Sequence, residues 1–274
     1  MSSGPQTPIT DTLNGAESPL APRNQYCSQP HWRVHRTSRY VPVEQNRLLA
    51  ALPEDEYERL LPHLDSVRLP VNKTLAARNE PIQHVYFLRD AVVAMVVPME
   101  DGRTIECATV GNEGMVGLEV FLGDGTAAED VLIQIPGSAG RVSVAAFKEL
   151  VLRSAPLQKF LQNYTLALIN QLARTAGCNR VHRVEQRCAR WLLMSHDRVG
   201  ENIFPLTHEA LAGLLGVRRA SVTEAAKMLQ RGGLIRYRRG RITILDRDRL
   251  EAASCEDYRE CRETYNRILE RHWG

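Results

Sequence analysis

The stretch Leu206–Leu245 decides the fold of the C-terminal part of this chain; it reads LTHEALAGLLGVRRASVTEAAKMLQRGGLIRYRRGRITIL. Two short amphipathic helical patterns lie on either side of a turn at Gly216, and two short β-type runs follow them. This order of elements predicts a winged helix-turn-helix, a module whose second helix enters the major groove of DNA. The sequence therefore points to nucleic-acid recognition.

The first helix of this module has a capping residue at its start. The Thr207 hydroxyl can accept a hydrogen bond from a backbone N–H group there, and Glu209 lies in the first turn, where the helix dipole favours negative charge. The same helix end can also face a phosphate group of DNA. Its buried side is expected to consist of Leu211, Leu214 and Leu215.

The second helix is predicted to run from about Arg218 to Gln230. Arginine can donate two hydrogen bonds to guanine and glutamate can accept one from cytosine, and each good bidentate contact discriminates bases by roughly 1–3 kcal/mol. The alternative is that these charged side chains are merely solvated. The candidate DNA contacts at the N-terminal end of this helix are Arg218, Arg219, Ser221, Thr223 and Glu224, with Thr207 added from the first helix.

The two β-type runs predict a hairpin that forms the wing. Gly232 and Gly233 end the second helix, and the runs at 234–237 and 241–244 follow. The arginines at the hairpin tip suit phosphate contacts, which position a protein on DNA without reading its sequence. These arginines are Arg238, Arg239 and Arg241.

The charges are distributed unevenly along the chain, which indicates domains with different binding partners. The net charge is only +3, but residues 205–247 contain 9 Lys and Arg against 3 Asp and Glu, whereas residues 41–155 contain 10 against 17. A basic block beside an acidic domain favours one domain for a polyanion and another for a different task.

The region between residues 67 and 144 has the pattern of an antiparallel β-domain. Short β-type runs at 85–88, 92–97, 104–110 and 131–135 are separated by turn residues, and Asp101-Gly102 stands at the tip of a predicted hairpin. Many short strands at regular spacing predict a barrel or jelly roll. Together with the helices on either side, this predicts an α+β protein.

A long helix is predicted between these two parts, over residues 156–182. Its apolar residues recur every three or four positions, which favours packing along the β-domain, pairing with a second copy as a coiled coil, or both. The predicted dimerisation residues are Leu157, Leu161, Tyr164, Leu168, Leu172 and Thr175.

The remaining segments carry weaker signals. Residues 1–40, in which five prolines recur among Ser, Thr, Gly and Asn, are expected to form an unstructured arm. Residues 251–274 are expected to form a tail with a helix packed on the wing or on a partner. The six cysteines, which form no Cys-x-x-Cys pair, are expected to be free thiols, and no metal or cofactor is predicted. They are Cys27, Cys107, Cys178, Cys188, Cys255 and Cys261.

Several classes of protein are disfavoured by what the sequence lacks. It has no apolar run near the ~20 residues that span a bilayer and no secretory signal pattern, so a cytoplasmic protein without membrane contact is expected. It also has no P-loop, no Gly-x-Ser-x-Gly, no His-Glu-x-x-His and no dinucleotide-binding fingerprint, and we therefore do not expect an enzyme.

The order of parts resembles the Crp–Fnr family of bacterial transcription regulators, over about residues 41–247. The stretch Val217-Arg-Arg-Ala-Ser-Val-Thr223 is similar to a branch with the pattern VRRxSVT in its recognition helix, and TVGNEGMVGLEVFLG in the β-domain is similar to the same branch. The resemblance implies a β-roll sensor domain at 41–155, a dimerisation helix at 156–182 and a winged helix-turn-helix at 183–250. It implies a homodimer on a near-palindromic DNA site and contact with RNA polymerase.

The departures from that family concern both domains. Typical members carry Arg-Glu and, one turn later, Arg in the recognition helix; here Arg219 matches the first Arg, Ala220 replaces the Glu and Glu224 replaces the second Arg. We therefore expect a different DNA site. In the β-roll, cyclic-nucleotide binders use an Arg on the phosphate, but residues 113–130 contain no Arg and several carboxylates.

The identity of an effector stays open at this stage. A degenerate cassette argues against cyclic-nucleotide binding, which is kept as the alternative function. The Cys cluster of oxygen-sensing members is missing, since only Cys27 lies in the N-terminal arm. A haem sensor would need an axial ligand, for which His63 and His84 are the available histidines.

Overall fold

The computed structural model describes residues 46–269, and the predicted N-terminal arm, Cys27 and the last five residues lie outside this range. Two antiparallel four-stranded sheets form the first domain, in the orders β1-β8-β3-β6 and β2-β7-β4-β5. The strands are β1 Asp65–Leu69, β2 Thr74–Ala76, β3 His84–Leu88, β4 Val92–Pro98, β5 Thr104–Val110, β6 Met115–Val116, β7 Asp130–Ile135 and β8 Gly137–Ser143.

Three of the four predicted β-runs became central strands of the roll, β3, β4 and β7, and the fourth became the edge strand β5. All four predicted runs are strands, and the hairpin between β4 and β5 turns at Gly102, whose φ of 81° is easily adopted only without a Cβ. Strands β1, β2, β6 and β8 were not predicted individually. They are short or carry Gly, Ser and Arg, so their sequences show little alternation.

Helices close the two ends of the roll. Before the first strand come α1 Arg47–Ala50 and α2 Glu54–Leu60, and α2 carries three acidic residues in its first turn, as expected from the helix dipole. The short helix α3, Glu119–Leu122, lies between β6 and β7, and α4, Val144–Leu152, follows β8.

The long helix α5 spans Ala155–Val181 and confirms the predicted helix to within one residue at each end. Ser154 caps its start, because the Ser154 hydroxyl accepts a hydrogen bond of 3.0 Å from the Leu157 N–H group. The next helix, α6, spans Val184–Val199 and ends at Gly200, which adopts a left-handed conformation.

The C-terminal domain is a winged helix-turn-helix with one strand more than predicted. It contains α7 His208–Leu215, α8 Arg219–Arg231, and a three-stranded sheet in the order β10-β11-β9. Strands β10 Ile235–Arg238 and β11 Arg241–Ile244 form the predicted wing. The unpredicted strand is β9, Ile203–Pro205, which is only three residues long.

Two further helices follow the wing. Helix α9, Arg247–Ala253, crosses the expected domain boundary at residue 250, and α10, Asp257–Leu269, packs along α5 and also contacts α6. Tyr258, Cys261 and Tyr265 are buried on the inner face of α10. Helix α10 is therefore part of the core of the protein and does not pack on the wing alone.

The structure places the predicted dimerisation residues inside the protomer. Leu157, Leu161, Tyr164, Leu168 and Thr175 are at most 9% exposed, and Leu172 packs against the same core. They face the β-roll and α10, so they are turned away from the side of α5 that a second copy could reach. A helix that packs on its own domain and also pairs with a second copy needs two apolar stripes. In α5 most of the large apolar residues lie in the stripe that faces the protomer core, so the predicted set is not the dimer surface.

Candidate nucleic-acid interface

The start of α7 is organised by its capping residue. The Thr207 hydroxyl accepts a hydrogen bond from the Ala210 N–H group at 3.0 Å, as predicted, and Thr207 itself is exposed. An N-terminal helix end presents unpaired N–H groups and a partial positive charge, which is the arrangement that binds phosphate.

The N-terminal end of α8 exposes two adjacent guanidinium groups. Arg218 is the N-cap residue and Arg219 the first residue of the helix, and both are exposed. The side chain of Arg219 lies 3.8 Å from the Glu209 carboxylate on α7, a contact between two exposed groups that water weakens. Arg219 is thus loosely held and free to exchange Glu209 for another acceptor.

The other candidates on α8 differ in exposure and in whether their side chains already have partners within the protein. Glu224 is exposed and forms an ion pair of 2.8 Å with Lys227, which lowers the pKa of Glu224. Ser221 is half-buried. Thr223 is engaged within the protein, because its hydroxyl lies 3.0 Å from the Arg219 carbonyl oxygen, to which it donates, and 3.1 Å from Nδ1 of His208.

His208 is a positioning residue that the sequence analysis did not single out. Its ring stacks on the Tyr237 ring of β10 with 4.1 Å between centroids, while its Nδ1 contacts Thr223 on α8. Partial burial, followed by the charge of Arg219, lowers the pKa of His208, which favours the neutral ring. His208 therefore joins α7, α8 and the wing, and only its position directly after the N-cap could have hinted at this.

The wing ends in a two-residue turn formed by Arg239 and Gly240. Both have positive φ, 50° and 72°, and Arg238 pairs with Arg241 across the hairpin, so the turn is of type I′. Asn or Gly is usual at the first of these positions, and arginine is strained there. The turn lies beside α7, because the Leu206 N–H group donates to the Gly240 carbonyl oxygen at 2.9 Å.

These contacts bring six of the nine predicted DNA-contacting residues onto one continuous surface, which we name the basic face. The start of α7 touches the start of α8 through Glu209 and Arg219, and touches the wing through Leu206 and Gly240. Exposed arginines therefore surround an exposed helix N-terminus. The basic face consists of Thr207, Arg218, Arg219, Arg238, Arg239 and Arg241.

The helix-turn-helix domain is docked on the second sheet of the β-roll. Apolar residues of β4 and β7 share one core with α6, α7 and α8, and Gly216 lies against Ile105 of β5. Within the helix-turn-helix domain, an Arg187 guanidinium nitrogen of α6 hydrogen-bonds to the Leu215 carbonyl oxygen of α7. The contact leaves the basic face exposed to solvent.

A buried ion pair joins the two domains. Arg198 of α6 reaches the turn Gly111–Gly114 of the β-roll, where its Nη2 lies 2.6 Å from Glu113 Oε1 and 3.0 Å from the Thr109 carbonyl oxygen. Gly111 leaves room for this arginine, since a Cβ there would lie 2.4 Å from the Arg198 chain. The Arg198–Glu113 contact was not predicted, because its two residues are 85 positions apart in the sequence.

A second buried contact runs in parallel with the ion pair. The Trp191 indole N–H group of α6 donates to Glu106 Oε2 of β5 at 3.0 Å. Burial raises the pKa of Glu106 to about 7, against the opposing effects of this hydrogen bond and of Arg198 and Arg190. Near neutral pH this carboxyl group is therefore partly protonated.

The segment where the resemblance implies a nucleotide phosphate is acidic. Residues 113–130 contain carboxylates at positions 113, 119, 124, 129 and 130. Arg198 is already paired with Glu113, and the Lys148 Nζ would lie 3.8 Å from a Cβ at Gly125. An anion would meet repulsion from this segment. His63 is exposed, and the pKa of His84 is lowered by burial and by Arg141.

Comparisons with known domain families agree with both domains. A model described as the Crp-like helix-turn-helix domain matches residues 186–253, and one described as the cyclic nucleotide-binding domain matches residues 66–154. No helix among residues 46–269 is long and apolar enough to cross a bilayer.

Solved structures of the same architecture are similar to the chain over most of its length. They include a putative regulator of the Crp/Fnr family from Eubacterium rectale (19% identity, 75% of this chain, 96% of that chain, TM-score 0.58) and FixK2 from Bradyrhizobium japonicum (16%, 70%, 98%, 0.58). A third is the c-di-GMP responsive regulator CLP of Xanthomonas campestris (19%, 70%, 99%, 0.54).

No curated protein sequence matches the chain significantly. The solved structures are less than 25% identical to the chain and show its fold. The two matched domain models follow one another in the same order as the β-roll and the helix-turn-helix domain of the structure. The chain therefore belongs to the Crp–Fnr family of transcription regulators, with a cyclic nucleotide-binding domain followed by a Crp-like helix-turn-helix domain.

Proposed function

We propose that this regulator binds a near-palindromic DNA site as a homodimer and reads bases through Arg219 and its neighbours on α8. The observation that carries the proposal is the continuity of the basic face. The Leu206–Gly240 hydrogen bond joins the start of α7 to the wing turn, and His208 contacts both Thr223 of α8 and Tyr237 of the wing. A helix N-terminus and a basic hairpin on one surface suit the major groove and the adjacent phosphates.

Residue roles within the basic face follow from exposure and partners. Arg219 and Arg218 are the proposed base contacts, with Glu224 beside them once it leaves Lys227. Arg238, Arg239 and Arg241 are proposed to contact phosphates, and Thr207 to hold a phosphate at the start of α7. We assign Thr223 to positioning, because its hydroxyl already lies within hydrogen-bonding distance of the Arg219 carbonyl oxygen and of His208.

The proposed homodimer forms through the outward face of α5. Two large apolar residues on that face, Leu166 and Ile169, are 63% and 54% exposed, and small residues follow at Ala173 and Ala176. The spacing of these four residues alternates between three and four, which is the heptad pattern of a two-stranded coiled coil. A second copy is the proposed partner because this pattern repeats along one seam of a 27-residue helix. RNA polymerase is proposed as a further partner from the family alone.

The test of base reading is the variant Arg219→Ala. Sites selected from random duplexes by the unaltered protein should be bound more weakly by the variant by about 1–3 kcal/mol, with relaxed preference at one position of each half-site. Binding to an unrelated duplex should change little. Competition binding at fixed, moderate salt measures both quantities.

Arg231→Ala serves as the matched control, because Arg231 is an exposed arginine at the opposite end of α8. It should leave the selected sequence unchanged. Equal losses on selected and unrelated duplexes for Arg219→Ala would contradict the assigned role. Absence of any sequence preference in the unaltered protein would overturn the proposed function as a whole.

A further inference from the structure

A cluster of four potential metal ligands lies where the end of α5 meets the start of α10. They are Cys178 and His182 from the last turn and cap of α5, Cys255 from the segment that leads into α10, and Asp257, the first residue of α10. One ligand atom from each lies within 4.8 Å of the others. The sequence analysis missed the cluster because its halves are 77 residues apart.

We infer that these four side chains form a tetrahedral site for a thiophilic divalent cation, with Zn²⁺ as the best fit. Two thiolates, one imidazole and one carboxylate are the ligand types that zinc takes, and four ligands close a structural site. Calcium and magnesium are disfavoured because they prefer oxygen ligands.

Two of the six distances between ligand atoms are close to the edges of such a tetrahedron. The Sγ atoms of Cys178 and Cys255 are 3.5 Å apart; zinc–sulfur bonds of about 2.3 Å at tetrahedral angles would place them about 3.8 Å apart. Nδ1 of His182 is 3.2 Å from Oδ2 of Asp257; zinc bonds of about 2.0 Å to both would place them about 3.3 Å apart. Small side-chain shifts would bring the four atoms around one ion.

The orientation of His182 supports metal binding by its Nδ1. This nitrogen is buried, and among the described residues no group is aligned to share a hydrogen bond with it. The other ring nitrogen, Nε2, lies 3.2 Å from Oε2 of Glu256, to which it can donate. When the outer nitrogen carries the proton and donates a hydrogen bond to a carboxylate, the inner nitrogen has a free lone pair. This is the usual arrangement of metal-binding histidines.

The two oxygens of Asp257 are divided in a similar way. Oδ1 lies 3.5 Å from the Arg174 guanidinium group, while Oδ2 faces the cluster. Cys178, Cys255 and Asp257 are each at most 5% exposed, so water cannot satisfy their charges. A bound cation would offset the free-energy cost of burying these polar side chains together.

The charges around the cluster favour ionised ligands. The guanidinium group of Arg190 approaches from α6, with Arg187 on the same helix and Arg174 on α5. Glu256 and Asp257 add negative charge that a dication would neutralise.

Metal binding would have a structural consequence for the regulator. The site would fix α10 to the end of α5, next to the junction at which α6 begins and leads to the basic face. The inference does not depend on the proposed function, because the ligands lie outside the basic face and the experiment below contains no DNA.

The experiment is metal binding to the full-length chain, purified under reducing conditions without chelator. Elemental analysis should give one zinc per chain. Apoprotein titrated with Co²⁺ should develop thiolate charge-transfer bands and the intense visible bands of tetrahedral cobalt, and Zn²⁺ should displace them. Cys255→Ser should lose the charge-transfer bands and the tight stoichiometric binding.

Two further variants make the outcome decisive. Glu256→Ala should still bind one ion, but about 10- to 100-fold more weakly, because the acceptor for the His182 Nε2–H group is lost. Cys107→Ser is the matched control, since Cys107 is a free cysteine on β5 outside the cluster, and it should behave as the unaltered protein. Should Cys255→Ser fail to fold, His182→Gln replaces it as the ligand variant.

Three results would overturn the inference. The first is no uptake of Zn²⁺ or Co²⁺ by the reduced apoprotein. The second is uptake that is the same in the ligand variants as in the unaltered chain. The third is a disulfide between Cys178 and Cys255 that persists under the same reducing conditions, which would make the pair a covalent link instead.

Discussion

At the scale of single residues, the wing turn separates a requirement of folding from a requirement of function. A type I′ turn needs positive φ at both central positions, and Gly240 supplies it without strain. Arg239 supplies it at a cost of about 1–2 kcal/mol, because its Cβ crowds the backbone in this conformation. Its side chain makes no contribution to the core, since it is exposed. A strained, exposed arginine is best explained by what it binds.

The variant Arg239→Asn tests this explanation. Asparagine tolerates the left-handed conformation, so the thermal unfolding midpoint should stay the same or rise slightly. The lost charge should weaken binding to all duplexes by a similar factor and lower the slope of log affinity against log salt by about one. Salt titrations on a selected and an unrelated duplex, together with thermal unfolding, provide the measurements.

Arg249→Asn is a suitable control for charge alone, because Arg249 is an exposed arginine of α9 outside the basic face. It should leave the salt dependence unchanged. A lower unfolding midpoint for Arg239→Asn, with DNA binding intact, would mean that this arginine is a structural residue of the turn.

At the scale of elements, helix α5 carries two different apolar stripes. The inner stripe, which contains Leu161 and Tyr164, is buried against the β-roll and α10. The outer stripe is shifted around the helix and contains Leu166 and Ile169, with the smaller Ala173. Period alone cannot distinguish them, since both have residues three and four apart. Only the packed structure shows which stripe is already covered.

We expect Ile169→Glu to convert the proposed dimer into a monomer. A charge in the centre of a coiled-coil seam lies opposite its own copy and cannot be solvated there. Sedimentation equilibrium over a range of protein concentrations would detect the change, and affinity for a two-half-site duplex should fall with it.

Leu152→Glu is the matched control, because Leu152 is 79% exposed on α4 and does not belong to the outer stripe. It should leave the molecular mass in solution unchanged. A protein that is monomeric without any substitution, at micromolar concentration and in the presence of DNA, would contradict dimerisation through α5.

At the scale of the whole molecule, the sensor and DNA-binding domains share buried polar contacts as well as an apolar core. Arg198 and Glu113 form a buried ion pair between them, and Trp191 donates to Glu106 beside it. Polar contacts of this kind depend on geometry more strongly than apolar ones do, because a displaced partner leaves a buried group unsatisfied. The docked arrangement of the domains should therefore respond to the protonation of Glu106.

The predicted pH dependence follows from the raised pKa of Glu106. The folded protein holds this proton up to about pH 7, whereas the unfolded chain releases it near 4.5. The protonated Glu106 carboxyl group therefore adds to the free energy of unfolding in full below pH 4.5. This contribution, on the order of 3 kcal/mol in total, is lost as the pH rises through 7. Glu106→Gln, which keeps an acceptor for Trp191, should gain stability relative to the unaltered protein as the pH rises from 5 to 8.

Denaturant unfolding at several pH values, with both proteins side by side, measures this difference. Glu58→Gln, at an exposed position of α2, is the control and should show a constant difference. If Glu106→Gln shows a constant difference as well, the Glu106 carboxyl group does not hold its proton at neutral pH.

The sequence by itself determined the local elements and their order. Val92–Val97 forms a strand because a short run of mostly β-branched apolar residues suits one that is buried on both faces. Thr207 begins a helix because its hydroxyl caps one, and Arg239-Gly240 lies at the tip of a hairpin. These features depend on neighbours within a few residues. The α+β fold and the winged helix-turn-helix followed from them, and so did the family resemblance.

Only the tertiary structure decided which distant residues meet. Arg198 faces Glu113, Trp191 faces Glu106, and Cys178 faces Cys255, although each pair is separated by more than 70 positions. No local period encodes such contacts, because they depend on how whole elements pack. For the same reason the inner stripe of α5 was mistaken for a dimer surface: burial is a property of the packed molecule, not of the helix alone.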